Sequence, residues 1–201
     1  MKSIDLLMHE HRLIERGLAV LGNVAERLHR NEPVPTEKVT ALLDFFRVFA
    51  DQCHHCKEEG LLFPELEARN IPREGGPIGV MLSEHDKGRQ LQRSMRELAS
   101  RLDHPDSRAQ FIAAAQQFLT LLREHIWKED NVLFRMAAQV LTDGEDQLLV
   151  QRFQQHETEQ VGASVHERYE HLIHDLEADL LKGAAQAAPA PGTGCCPHCG
   201  A

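Results

Sequence analysis

SIDLLMHEHRLIERGLAVLGNVAERLHR, residues 3–30, contains no proline and has glycine only at Gly17 and Gly22. Read at alternating three- and four-residue steps, it gives Ile4, Leu7, His11, Ile14, Leu18, Leu21, Ala25 and Leu28. That is one apolar stripe along a helix, with a single polar side chain in it, His11. NEPVP ends this first helix at about Arg30. A second is predicted from Thr36 to Glu59 or beyond, weakened by Gly60 and Pro64. A third spans about Pro77 to Leu102, with proline in its first turn, and a fourth about Ser107 to Val140 after the turn residues DHPDS. A fifth helical region follows TDGED and runs to about Leu181. No strand-like alternation competes with the helical period. The expected fold is all-α: an antiparallel up-down four-helix bundle with an additional C-terminal helical region. Residues 1–182 form the domain, and residues 183–201 a flexible Ala/Pro/Gly linker with a Cys-rich tail.

The histidines carry the chemistry. Helix four reads Phe111, Ala115, Phe118, Leu122, His125, Glu129, Val132, Met136 along its seam, and helix three carries His85 in a weaker one. Helix two offers adjacent pairs, His54/His55 and Glu58/Glu59, either of which makes an i, i+4 histidine–carboxylate couple. At ~100° per residue, His54 lies on the edge of the apolar arc of Val39, Leu42, Leu43, Phe46, Phe49, Ala50 and Cys53, and His55 turns away. The repeat of HHCKEEGLLF (residues 54–63) in HIWKEDNVLF (residues 125–134) also aligns His54 with His125 and Glu58 with Glu129. His11, His54, His85 and His125 lie 17 to 19 residues from the corresponding predicted helix ends, which sets them at one height in an antiparallel bundle. Burying these imidazoles with two carboxylates and no cation costs several kcal/mol per charged group. The expected metal ligands are therefore His11, His54, Glu58, His85, His125 and Glu129. Imidazole and carboxylate without thiolate suit iron, manganese or zinc.

The pattern formed by His11, His54-x-x-x-Glu58, His85 and His125-x-x-x-Glu129 resembles the hemerythrin-like, HHE cation-binding family over about residues 3–140. HHCKEEGLLFPEL and GPIGVMLSEHDKGR are its most specific stretches. The resemblance implies two iron ions with an oxo or hydroxo bridge, reactive towards a small diatomic or peroxide ligand: O2, nitric oxide or peroxide. Oxygen carriers of that family have a second histidine four residues after the helix-three ligand, where this chain has Arg89. The resemblance thus implies an open position on one iron, to be filled by water, a small ligand or a group from helix five. They also end in His-x-x-x-x-Asp, a spacing met by His125 and Asp130, although the internal repeat favours Glu129.

The remaining polar residues read more plainly. His156, Glu157, His166 and Tyr169 are candidates for a further ligand. The helix-five seam Val161, Val165, Leu172, Leu176 leaves His166, His171 and His174 in solvent. His9 and His55 read as surface groups or supports outside the ligand set, and Cys53 as a packing residue. Cys195, Cys196, His198 and Cys199 offer donors for one soft metal. The chain has 201 residues and a formal net charge of −9. It shows no Lys/Arg cluster for phosphates and no apolar run of membrane-spanning length, so neither nucleic acid nor membrane is an expected partner. The N-terminus lacks the apolar core of a signal peptide, and the expected location is the cytoplasm. The leading functional expectation is a di-iron protein binding or reducing a small oxidant. The alternative is a non-enzymatic iron handler, a sensor or an iron donor for iron–sulfur repair, and a structural zinc bundle is the weakest reading.

Overall fold

The computed structural model describes residues 1–181. The linker and the tail cysteines of the sequence reading lie outside the described residues. Helix α1 spans Lys2–His29. Helix α2, Thr36–Phe45, runs on through two π-helical stretches, Phe46–His55 and Glu58–Leu62, into α3, Phe63–Glu67. Helix α4 covers Pro77–Leu98. Helix α5, Pro105–Lys128, continues through a π turn, Glu129–Leu133, into α6, Phe134–Val140. Among the described residues there is no strand, as expected of an all-α chain.

The C-terminal region is helical as expected, but the seam expected from Val161 to Leu176 is interrupted. The region is two helices, α7 (Asp143–His156) and α8 (Val165–Leu176), each ending in a π turn. The chain breaks at Gly162, whose φ of 107° is readily adopted only by glycine. The buried stripe of α8 is Val165, Tyr169, Ile173 and Leu176, so Tyr169 belongs to the packing and Leu172 lies at its edge. Both helices pack on α1, and α8 also packs on α2.

Glu58–Leu62 and Glu129–Leu133 are equivalent parts of the internal repeat, and both are π turns. In each, the N–H of the following phenylalanine bonds back five residues: Phe63 to the Glu58 carbonyl, Phe134 to the Glu129 carbonyl. Such single widened turns are characteristic of functional sites. Helix two passes Gly60 and Pro64 without stopping because the widened turn is complete at Leu62 and Pro64 falls in the first turn of α3.

The apolar core is divided in two. One part, with Leu21, Phe45, Phe49, Phe111 and Phe118, also takes in Tyr169, Ile173 and Leu176 of α8. The other gathers Leu7, Phe63, Ile78, Met81, Phe134 and Phe153. Between them lies a layer of buried polar residues: Glu10, His11, His54, His55, Lys57, Glu58, His85, His125 and Glu129.

Asp146 of α7 fastens the C-terminal helices to the start of α1. Its carboxylate accepts from the backbone N–H groups of Lys2 and Ser3, at 2.9 Å each, and from the Ser3 hydroxyl. Burial alone would raise this carboxyl, but the Ser3 and Lys2 donors outweigh it and hold it low. A depressed carboxyl contributes stability above its unfolded pKa, and that contribution is lost as pH falls through the folded value. Asp146→Ala should therefore cost about 1–3 kcal/mol in urea unfolding at neutral pH. The difference from wild type should shrink on acidification below about pH 4. An unchanged midpoint would show that this attachment contributes nothing.

Candidate metal centre

Seven side chains meet in the polar layer. His11, His54, Glu58 and Glu129 present donor atoms all within 4.8 Å of one another, and so do His55, Glu58, His85 and His125. Glu58 belongs to both groups. Glu129 reaches both as well, because its Oε2 is 3.2 Å from His11 Nε2 and 3.2 Å from His125 Nε2. The six residues expected from the sequence are thus brought together at one level.

His55 is the addition, and it corrects the sequence reading. It is buried and stacked on the His85 ring, with centroids 3.9 Å apart. A register of 100° per residue turned it to solvent, but residues 46–55 are π-helical. Each residue in the wider i→i+5 turn advances through a smaller angle, so His54 and His55 both face inward. Nothing in the residue pattern signals this local change of period. His55 also joins the second group, on the side where Arg89 stands four residues after His85. Arg89 donates to Asp51 and Glu59 at 2.8 and 2.6 Å.

The four histidines expected from the sequence are held by a ring of carboxylates that runs around the bundle. Glu10 of α1 accepts from His54 Nδ1 at 2.8 Å. Glu59, in the π turn after helix two, accepts from His85 Nδ1 at 2.7 Å. Glu84 of α4 accepts from His125 Nδ1 at 3.0 Å, and Asp130, after α5, from His11 Nδ1 at 2.7 Å. Each support crosses to a neighbouring helix, and the last returns to the first. Each is also paired with a cation: Glu10 with Lys57, Glu59 with Arg89, Glu84 with Lys128, Asp130 with Arg12. Sequence reasoning missed this supporting role, weighing Glu59 and Asp130 only as alternative ligands, although each acid stands next to a ligand candidate: Glu10–His11, Glu58–Glu59, Glu84–His85, Glu129–Asp130. Asp130 supports His11 and leaves the inward place to Glu129.

Binding Nδ1–H to a carboxylate fixes the tautomer and turns the Nε2 lone pair inward. Those lone pairs face carboxylate oxygens and one another; His85 Nε2 and His125 Nε2 are 3.1 Å apart. His11 Nε2, His54 Nε2 and all four carboxylate oxygens of Glu58 and Glu129 are buried without a hydrogen-bond partner. Acceptors aimed at acceptors in a dry interior are costly unless a cation lies between them. Electrostatics agree. Burial, joined by the nearby Glu129, pushes the Glu58 carboxyl well above its usual range. Burial works against charging His125, yet Glu129 and Glu84 push it up to about 9. Burial, joined by His11, pushes His54 down to about 3. Without metal the layer must hold protons where a cation's charge belongs. The donor set, imidazole and bridging carboxylate, fits iron.

The other candidates lie outside this layer. Tyr169 donates to Asp44, His156 bonds the Gln52 carbonyl, and Glu157 and His166 gather around Lys57 and Glu10. His166 is therefore half-buried and bonded rather than free in solvent, as its place off the expected seam had implied. Cys53 is buried in the apolar core. Among the described residues, no helix is long and apolar enough to cross a membrane.

Residues 2–137 match the family model described as the Hemerythrin HHE cation binding domain. The iron-sulfur cluster repair protein YtfE of Musicola paradisiaca is 32% identical over 133 residues, which is 64% of this chain and 59% of that protein. Proteins of the same name from Dickeya chrysanthemi and Yersinia pseudotuberculosis are 32% and 30% identical over 132 and 133 residues. These alignments cover 63% and 64% of this chain. The chain thus spans about 59% of the length of these curated relatives. No solved structure matches it.

Filling the layer should stabilise the fold. Chelator-stripped protein given Fe2+ at a hundredfold excess over its Kd under anaerobic conditions should gain about 2.7 kcal/mol and melt roughly 5–10 °C higher. Identical melting curves with and without metal would contradict the cation-shaped reading of the unpaired atoms.

Proposed function

The chain belongs to the hemerythrin HHE cation-binding family, and on that premise we propose that the polar layer holds two iron ions and that the centre binds or reduces a small oxidant, O2, nitric oxide or peroxide. The observation that carries this reading is the set of buried, unpaired oxygens of Glu58 and Glu129 facing unpaired imidazole nitrogens. His11 and His54 would hold one ion and His55, His85 and His125 the other, with Glu58 and Glu129 shared. When bound, iron supplies one-electron redox chemistry towards a small oxidant.

The chain's own residues set the conditions. The Nδ1 carboxylates fix the tautomer and orientation of His11, His54, His85 and His125. Phe134 stacks on His11 and Phe63 on His85, so aromatic walls exclude water from one face of the layer. The His11/His54 side presents two imidazoles against three on the other, so we assign the small ligand to that side. This places the open position on the opposite side from the one implied by Arg89. A second reading, iron donation, is favoured by the name of the relatives, iron–sulfur cluster repair.

Two measurements test this. His55→Ala should lower the iron content from two per chain to about one, whereas Glu59→Ala should keep both and weaken binding about 10–100-fold. Equal retention in the two variants would remove His55 from the ligand set. Nitric oxide added anaerobically to the ferrous protein should shift its optical spectrum and saturate near one equivalent per centre. If nitric oxide leaves the spectrum unchanged while an iron-depleted iron–sulfur protein gains iron from this chain, donation is the function.

A further inference from the structure

The four cations behind the histidine supports are not equally placed. The side chains of Arg12, Lys128 and Arg89 are 52%, 31% and 24% exposed, whereas Lys57 is 1% exposed. What covers Lys57 comes from the C-terminal helices, beyond the residues that match the family model. Glu157, at the end of α7, accepts from Lys57 Nζ at 2.6 Å. Phe153, one turn earlier, sets its ring 5.7 Å from the same nitrogen. His166, near the start of α8, brings Nε2 to 3.1 Å from Glu157 Oε1 and 3.3 Å from Glu10 Oε1. Its ring also packs edge-on against Phe49. A cleft of about 90 Å³ lined by Arg12, Arg16, Phe49 and His166 also touches Glu10, so His166 borders a cleft beside that carboxylate.

Glu10, Cys53, Glu157 and His166 lie close enough together to be taken for another metal site. The hydrogen bonding says otherwise. Lys57 and His166 share the same two oxygens, Glu10 Oε1 and Glu157 Oε1, and none of these four residues has a buried atom without a partner. The cluster already contains its cation, in contrast to the layer beside it.

We propose that Glu157 and His166 are positioning residues for the ion held by His11 and His54, and that the C-terminal helices act as a latch on that ion alone. The latch holds Glu10, Glu10 holds the His54 ring, and among the described residues the supports of His85 and His125 have no equivalent cover. This rests on the two-iron reading above. Detachment of α7 and α8 opens Lys57 and Glu10 to water, loosens His54 and speeds departure of one iron while the other stays. A partner or condition that lifts these helices would thus release a single iron from a folded bundle.

The test uses the full chain loaded with iron and a colorimetric ferrous chelator, following release anaerobically. Glu157→Ala combined with His166→Ala should release one of two irons at least tenfold faster than wild type, the second at the wild-type rate. His166→Gln, which retains an N–H donor towards Glu10, should restore slow release. Glu84→Gln, on the opposite support, should speed one iron as well, and combining it with the latch variant should speed both. An unchanged rate in the latch variant, or equal acceleration of both irons as expected from general loosening, overturns the proposal. Wild-type protein that loads a single iron refutes the two-iron reading, a result distinct from either rate outcome.

Discussion

Acceptors facing acceptors at one level of the bundle are the constraint on which the rest of the structure depends. Two carboxylates and five imidazoles are buried together, and among the described residues the oxygens of Glu58 and Glu129 and the Nε2 atoms of His11 and His54 have no hydrogen-bond partner. Such an arrangement is stable only around positive charge. The two apolar cores above and below define the layer and keep it dry. The widened turns at Glu58 and Glu129 occupy the same place in the two halves of the internal repeat. A site of this kind is built by the whole bundle and not by any one helix.

The ring of Nδ1 supports gives this constraint its rigidity. Because each carboxylate comes from a helix adjacent to the histidine it holds, no helix can rotate or slide without disturbing a neighbour's ligand. The outer cations neutralise the supports and so keep four further carboxylates from repelling Glu58 and Glu129. Arg89 serves one of them and a further acid, bonding Glu59 behind His85 and Asp51 beside His55. Its place four residues after His85 is therefore structural in a way that a comparison of ligand positions alone does not suggest.

Much of this was legible in the sequence, because burial and period are written in it. The single histidine in the otherwise apolar stripe of residues 3–30, the repeat of HHCKEEGLLF in HIWKEDNVLF and the matched depths of four histidines led to the bundle and to six of the seven inward residues. His55 was lost because a helical wheel assumes one angle per residue, and residues 46–55 do not keep it. The carboxylate ring was lost for a different reason. Each acid stands beside a ligand candidate in sequence but acts on a histidine of another helix, a pairing visible only once the helices are assembled. The latch around Lys57 depends on the break at Gly162, which lets α8 return towards the residues that α7 has just reached.

Diffraction from iron-loaded crystals at the iron absorption edge tests the central claim most directly. The account predicts two anomalous peaks roughly 3.5–4 Å apart, one bounded by His11 and His54, the other by His55, His85 and His125, with Glu58 and Glu129 between them. A single peak, or a second peak that His55 does not touch, would contradict it.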